Sequence, residues 1–118
     1  MSLNKDRDTE VYVKQQLKLM ETMTVQMDGR WLRGTIDGYE FFALVFQTGS
    51  KYGINEGRVS KLSVRPKSQS LTDVSRYIIN YDRGWDIEPE TEEHKLILDT
   101  LVELFENLPL EEIPLRRG

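Results

Sequence analysis

Apolar residues recur at Val13, Leu17 and Met20, the i, i+4, i+7 spacing of a helix, with Tyr12, Leu19 and Met23 on a neighbouring face. The spacing predicts an amphipathic helix over 8–23, its first amides capped by Asp6 or Asp8. After Met23 the period changes to two. Thr24 to Met27 alternates, Asp28-Gly29 signals a hairpin, Trp31 to Ile36 alternates again, and Asp37-Gly38 signals a second hairpin before Tyr39 to Phe46. Arg58 to Arg65 reads as a further strand on Val59, Leu62 and Val64. Val74 to Asp82 reads as another, with Tyr77, Ile79 and Tyr81 on one face and Ile78 on the other. The clearest helix is the last one. Ile97, Leu101, Leu104, Phe105 and Leu108 form its stripe, widened by Leu98 and Val102 to a face that can lie across a sheet. Pro89 suits its first turn, the glutamates at 90, 92 and 93 suit the positive end of its dipole, and Pro109 stops it.

These elements predict one α+β domain. It is an antiparallel meander sheet of about four strands over 24–82, with a C-terminal helix over 89–108 packed on it, an N-terminal helix flanking, and a tail over 109–118. An Asp-Gly type I′ turn fixes the register of the central hairpin. Ile36 should face Tyr39, Gly34 Phe41 and Leu32 Ala43 on one side, and Thr35 Glu40, Arg33 Phe42 and Trp31 Leu44 on the other, with Phe46 continuing the second set. Both sides are substantially apolar. A sheet with one wet face reads polar at every second position, so a cover for the second face is expected, either the N-terminal helix or another protein molecule.

With 118 residues, 38% hydrophobic and 31% charged, the chain suits a single small domain. The absence of cysteine removes disulfides, thiolate nucleophiles and cysteine-ligated zinc, and fits a reducing cytoplasm. The head of the chain, with Lys5, Asp6, Arg7 and Asp8, has no signal-like apolar run after it, and no stretch reaches the length a bilayer demands; a cytoplasmic protein without a membrane partner is expected. Met1-Ser2-Leu3 resembles a cloning leader. The formal charge of −4 is unevenly spread: residues 29–83 hold nine Lys/Arg against five acids, whereas residues 84–118 hold ten acids against three bases.

The run "NYDRGWDIEP" from Asn80 to Pro89 is the most distinctive, and it reads as the passage from the last strand into the last helix. Each residue has a structural task there. Tyr81 points inward, Gly84 takes a special backbone angle, and Trp85 folds back as an apolar lid. Asp82 or Asp86 accepts amide hydrogen bonds, Arg83 pairs with an acid, and Pro89 begins the helix. The competing reading, a cation held by acids between Asp82 and Glu90, lacks the spacing and glycine of a calcium loop. "TGSKYGINEG" has the glycines but not the spacing of a phosphate cradle, and reads as a shaped loop. His94, the single histidine, stands in the first turn of an acidic helix with no nucleophile motif around any serine. Neither metal, cofactor nor catalytic residue is expected, and an enzyme is the minority reading.

Nucleic acid is the stronger alternative. Arg30, Arg33, Lys61, Arg65 and Arg76 with Trp31, Phe42 or Tyr39 would make a stacking and phosphate-binding face on the sheet, against a negative total charge and interleaved acids. The reading preferred is protein–protein association, in its simplest form a homodimer, through Trp31, Arg33, Phe42, Leu44 and Phe46.

"GTIDGYEFFALVF", "SKYGINEGRVSKLSV" and "NYDRGWDIEPETEE" together make the chain resemble a family of small uncharacterised proteins of Firmicutes and of their phages and mobile elements. The resemblance runs from about Trp31 to Leu108. It implies one domain in a bacterial or phage cytoplasm and brings no catalytic residue with it.

Overall fold

Asp37 and Gly38 both take positive φ, 49° and 82°, the backbone of a type I′ turn. The strands on either side pair as the turn requires, Ile36 with Tyr39 through to Trp31 with Leu44. Around this hairpin the computed structural model describes residues 2–67 and 76–109, with side chains from Thr9 onward. The elements are α1 (Ser2–Glu21), β1 (Thr24–Asp28), β2 (Trp31–Ile36), β3 (Tyr39–Val45), β4 (Val59–Pro66), β5 (Ile79–Asp82), β6 (Trp85–Ile87) and α2 (Glu92–Glu106). A short 3₁₀ turn, Ile54–Glu56, lies in the loop before β4.

The strands form one antiparallel sheet in chain order, and there are six of them, not about four. The alternating stretch from Thr24 is a strand in its own right, and β6 lies beyond the expected end of the sheet. Thr24–Asp28 is a full partner of β2, and the Asn80–Pro89 run is mostly a hairpin between β5 and β6, which leaves only its last residues to lead into the helix. At this hairpin the positive φ belongs to Arg83 (62°) and not to Gly84. Arg83 is held there by its N–H, which donates to the Ser60 carbonyl at 3.0 Å, and its guanidinium lies 4.9 Å above the Tyr52 ring instead of beside an acid. Tyr81 does point inward, and its hydroxyl donates to the Tyr52 carbonyl at 2.7 Å. Trp85 is 40% exposed with its ring edge-on to Tyr81, so it makes a poor lid. Asp82 pairs with Lys61, and Asp86 accepts from the Asn80 amide. The strand expected over 74–82 is β5 from Ile79 onward; residues 74–75 and the tail from 110 lie outside the described residues.

Gly34 explains how β1 can join. A Cβ at this position would lie 1.8 Å from the Thr24 carbonyl oxygen, so glycine alone lets the two backbones approach so closely. On the helix-bearing side of the sheet, Leu32, Ile36, Phe41, Ala43, Val45, Leu62, Val64 and Ile79 are buried against Ile97, Leu101 and Phe105 of α2. Each of the three helix residues contributes roughly 1.5–3 kcal/mol through this burial. The helix starts later than Pro89 because Thr91 is its cap, the Thr91 hydroxyl accepting the His94 N–H at 3.0 Å. Its end is Glu106, with Asn107 as C-cap.

The N-terminal helix is longer at its start than expected and presents a different face. Val13, Leu17 and Met20 are exposed, Leu17 at 55%, while Gln16 is buried and Leu19 and Met23 pack on the core. The Tyr12 hydroxyl hydrogen bonds to Asp99 of α2, which draws the Tyr12 side of α1 against α2 and so selects this face. Both helices therefore lie on the same side of the sheet, and among the described residues no helix covers the other side.

Candidate functional site

The uncovered side of the sheet is ordered in three cross-strand rows. Asp28, Trp31, Leu44, Lys61 and Asp82 form the first, Gln26, Arg33, Phe42, Ser63 and Asn80 the second, and Thr24, Thr35, Glu40 and Arg65 the third. Period-two alternation puts these residues on one surface because their neighbours in β2 to β5 fill the core. At the centre the Trp31 and Phe42 rings stack with centroids 5.0 Å apart and planes 23° from parallel. Phe42 is nonetheless 46% exposed. Phe46, just past the end of β3, is also exposed, with the Arg30 guanidinium 5.8 Å over its ring.

Charges surround these rings in pairs. Arg65 Nε donates to Glu40 at 3.2 Å, Lys61 stands 3.7 Å from Asp82 and 5.9 Å from the Trp31 ring, and Arg33 Nε donates to the Gln26 amide oxygen at 3.2 Å. With the rim included, the bases Arg30, Arg33, Lys61 and Arg65 are matched in number by the acids Asp28, Glu40, Asp82 and Asp86. Two shallow grooves cross the surface. One of about 550 Å³ runs between Thr24, Arg33, Glu40, Phe42 and Arg65, and one of about 660 Å³ lies over Gln26, Asp28, Trp31, Arg33 and Phe42.

The structure thus gathers Trp31, Arg33, Phe42 and Leu44 on one face with Lys61 and Arg65, while Phe46 follows the end of β3, exposed and against Arg30 of the β1–β2 turn. Arg76 is elsewhere. It lines a separate groove of about 620 Å³ with Ile87, Glu88, Glu90 and His94. There the His94 ring meets Tyr39 edge-on, Nε2 lying 3.5 Å from the Tyr39 hydroxyl, so the histidine belongs to the contact between α2 and the sheet. Burial raises the Tyr39 phenol above its ordinary value, with Glu93 and Asp37 adding to the effect. Among the described residues the wall of this groove carries no serine, threonine or lysine, and no group of three or more His, Cys, Asp or Glu could hold a metal ion.

The loop after β3 has a structural task that sequence reasoning did not find. Asn55 and Glu56 take positive φ, 53° and 59°, and Gly53 and Gly57 stand where no side chain would fit. A Cβ on Gly53 would lie 1.9 Å from the Gly57 carbonyl oxygen, and one on Gly57 would lie 2.2 Å from the Glu106 carboxylate. Glu106 and Arg58 then tie the loop to the end of α2 through several hydrogen bonds. The glycines signalled a shaped loop, but nothing in the sequence links Arg58 to Glu106, 48 positions further on.

These features define a small α+β domain: a six-stranded antiparallel meander with two helices on one side and an aromatic, charge-balanced face on the other. Residues 30–106 match the family described as domain of unknown function (DUF7678), and the chain belongs to that family. The matched stretch takes in β2 to β6 and α2, while α1 and β1 lie before it. No curated protein matches the chain, and no solved structure matches it. No helix of the described residues is long and apolar enough to cross a membrane.

Proposed function

We propose that the protein acts by protein–protein association through the open face of its sheet, a second copy of the chain being the partner. The observation that carries this reading is the charge balance around exposed aromatic residues. Four bases and four acids share the face, and Arg65 and Lys61 already have acidic partners. A polyanion needs a surplus of positive potential, which such a face does not offer. A face with aromatic residues and arginine at the centre and a mixed polar rim has the anatomy of a protein interface. Being neutral and carrying both signs, it suits a copy of itself turned about a two-fold axis, where bases of one face can meet acids of the other. Trp31 supports the same choice, since its ring is already engaged by Phe42 and Lys61 and is a poor platform for a base.

Sedimentation velocity over a micromolar concentration series tests the reading. The wild-type chain is expected to self-associate and Phe42→Asp to sediment as a smaller species, without the face contact, while staying folded. A wild type and variant with identical sedimentation would contradict it. A salt-dependent shift of a labelled single strand, weakened by Arg33→Ala or Lys61→Ala, would favour nucleic acid instead.

A further inference from the structure

Strand β1 is a free edge of unusual openness. All five of its residues are exposed, and among the described residues its only sheet partner is β2. A two-residue turn at Gly29-Arg30 makes Asp28 and Trp31 the first pair of this ladder. Antiparallel alternation then turns the main-chain groups of Asp28 and Gln26 towards β2 and those of Val25 and Met27 away from the sheet. Natural edges are usually blunted by a lysine, a proline, a bulge or short length. The opposite edge, β6, is three residues long and shifts register against β5, with Asp86 as the extra residue at its centre. None of these devices is present in β1, whose single charge, Asp28, stands at its end. Its side chains on the helix-bearing side, Val25 and Met27, are 40% and 46% exposed.

We propose that β1 pairs antiparallel with β1 of a second copy, in the register that sets Gln26 opposite Gln26. The choice of occupant and register rests on self-complementarity. In this register Val25 faces Met27 of the other copy, and both have outward main-chain groups, so the two such pairs exchange about four N–H···O bonds. Their side chains close over one another as an apolar patch on the helix-bearing side. Each Asp28 falls opposite a Thr24, which keeps the two carboxylates apart. A slip of one residue sets outward groups against inward ones, and a slip of two runs one strand off the end of the other.

The contact joins two six-stranded sheets edge to edge. It leaves all the helices on one side and both aromatic faces on the other. It does not depend on the face-to-face association proposed above. Its two-fold axis is perpendicular to the sheet and that of the face contact is parallel to it, and where the two axes intersect the contacts together close a tetramer.

The chain contains no cysteine, so single cysteines report the register directly. In the proposed pairing the residue 26 positions form a non-hydrogen-bonded pair with Cα atoms about 4.5 Å apart, within disulfide reach. The residue 24 positions are about 14 Å apart, at four residues of strand rise. Gln26→Cys is expected to form a covalent dimer under mild oxidation at least ten-fold faster than Thr24→Cys. In parallel, sedimentation compares Phe42→Asp, which blocks the face contact, with Phe42→Asp carrying Val25→Pro as well. Proline at 25 removes an outward N–H and leaves the β2 ladder intact; Met27→Lys serves if that chain does not fold. The first is expected to be a dimer and the second a monomer. Equal cross-linking of the two cysteine variants, with equal sedimentation of the two Phe42→Asp chains, would overturn the proposal. A dimer abolished by Val25→Pro but untouched by Phe42→Asp would sustain the edge contact and remove the face reading.

Discussion

The carboxylate of Glu106 accepts the main-chain N–H of Arg58 at 2.7 Å and of Val59 at 3.3 Å, and the Arg58 guanidinium donates in return to the Glu106 carbonyl at 2.7 Å. The same guanidinium reaches the carbonyls of Leu108 at 2.7 Å and Phe46 at 2.9 Å. One cation thus satisfies carbonyls left over at the C-terminal end of α2, where the helix dipole favours positive charge, and one anion satisfies two amides at the start of β4. The glycine at 57 makes room for the carboxylate. Loop, sheet and helix are closed by this reciprocal pair.

Removing either partner leaves part-buried backbone groups without bonds. Glu106→Ala and Arg58→Ala are each expected to cost about 2 kcal/mol, and the double variant less than the sum, as read from urea denaturation. Arg58→Lys should recover little, because an ammonium cannot span three carbonyls as the planar fork does.

Two glycines with opposite surroundings give a paired prediction. Gly34→Ala sets a Cβ against the Thr24 backbone and is expected to cost about 1–3 kcal/mol and to loosen β1. Gly84 has nothing within 4 Å of its would-be Cβ and does not take positive φ, so Gly84→Ala is expected to stay within about 0.5 kcal/mol of wild type. Thermal unfolding of both, with hydrogen exchange of the β1 amides in the first, is the check.

The hydrogen bond between the Tyr12 hydroxyl and Asp99 ties α1 to α2, and the phenol is raised well above its ordinary 10.0, first by burial and then by Asp99 itself. A phenol that holds its proton more tightly when folded stabilises fully below pH of about 10 and loses that contribution as pH rises further. Tyr12→Phe is therefore expected to be less stable near neutral pH by about 1 kcal/mol and to show a shallower decline above pH of about 10. Chemical denaturation at pH 7 and across the alkaline range measures both.

The central hairpin was legible because Asp37-Gly38 admits one turn geometry, and the turn dictates every pair from Ile36 with Tyr39 to Trp31 with Leu44. The stripe of α2 was legible for a similar reason, since Ile97, Leu101 and Phe105 sit on a wide apolar arc, although its start was not, because the Thr91 cap was passed over for Pro89. The face of α1 was not. Two apolar stripes compete there, and the one chosen contains Gln16 and depends on a hydrogen bond to a residue 87 positions away. At the Arg83-Gly84 turn glycine had the better intrinsic claim to positive φ, but a bond from the Arg83 amide to the neighbouring strand decided the matter. The open face was readable as a set of residues. Its near-neutral pairing was not, because Glu40 meets Arg65 and Asp82 meets Lys61 across strands whose order only the fold supplies.

The most direct measurement of the association through the open face is a dilution series of backbone amide spectra. Concentration-dependent shifts are expected at Trp31, Arg33, Phe42, Leu44 and Lys61, with the amides of the α2 stripe unchanged, and Phe42→Asp should abolish them. Amides at Trp31, Phe42 and Leu44 that keep the same positions from dilute to concentrated wild-type solution would contradict the account.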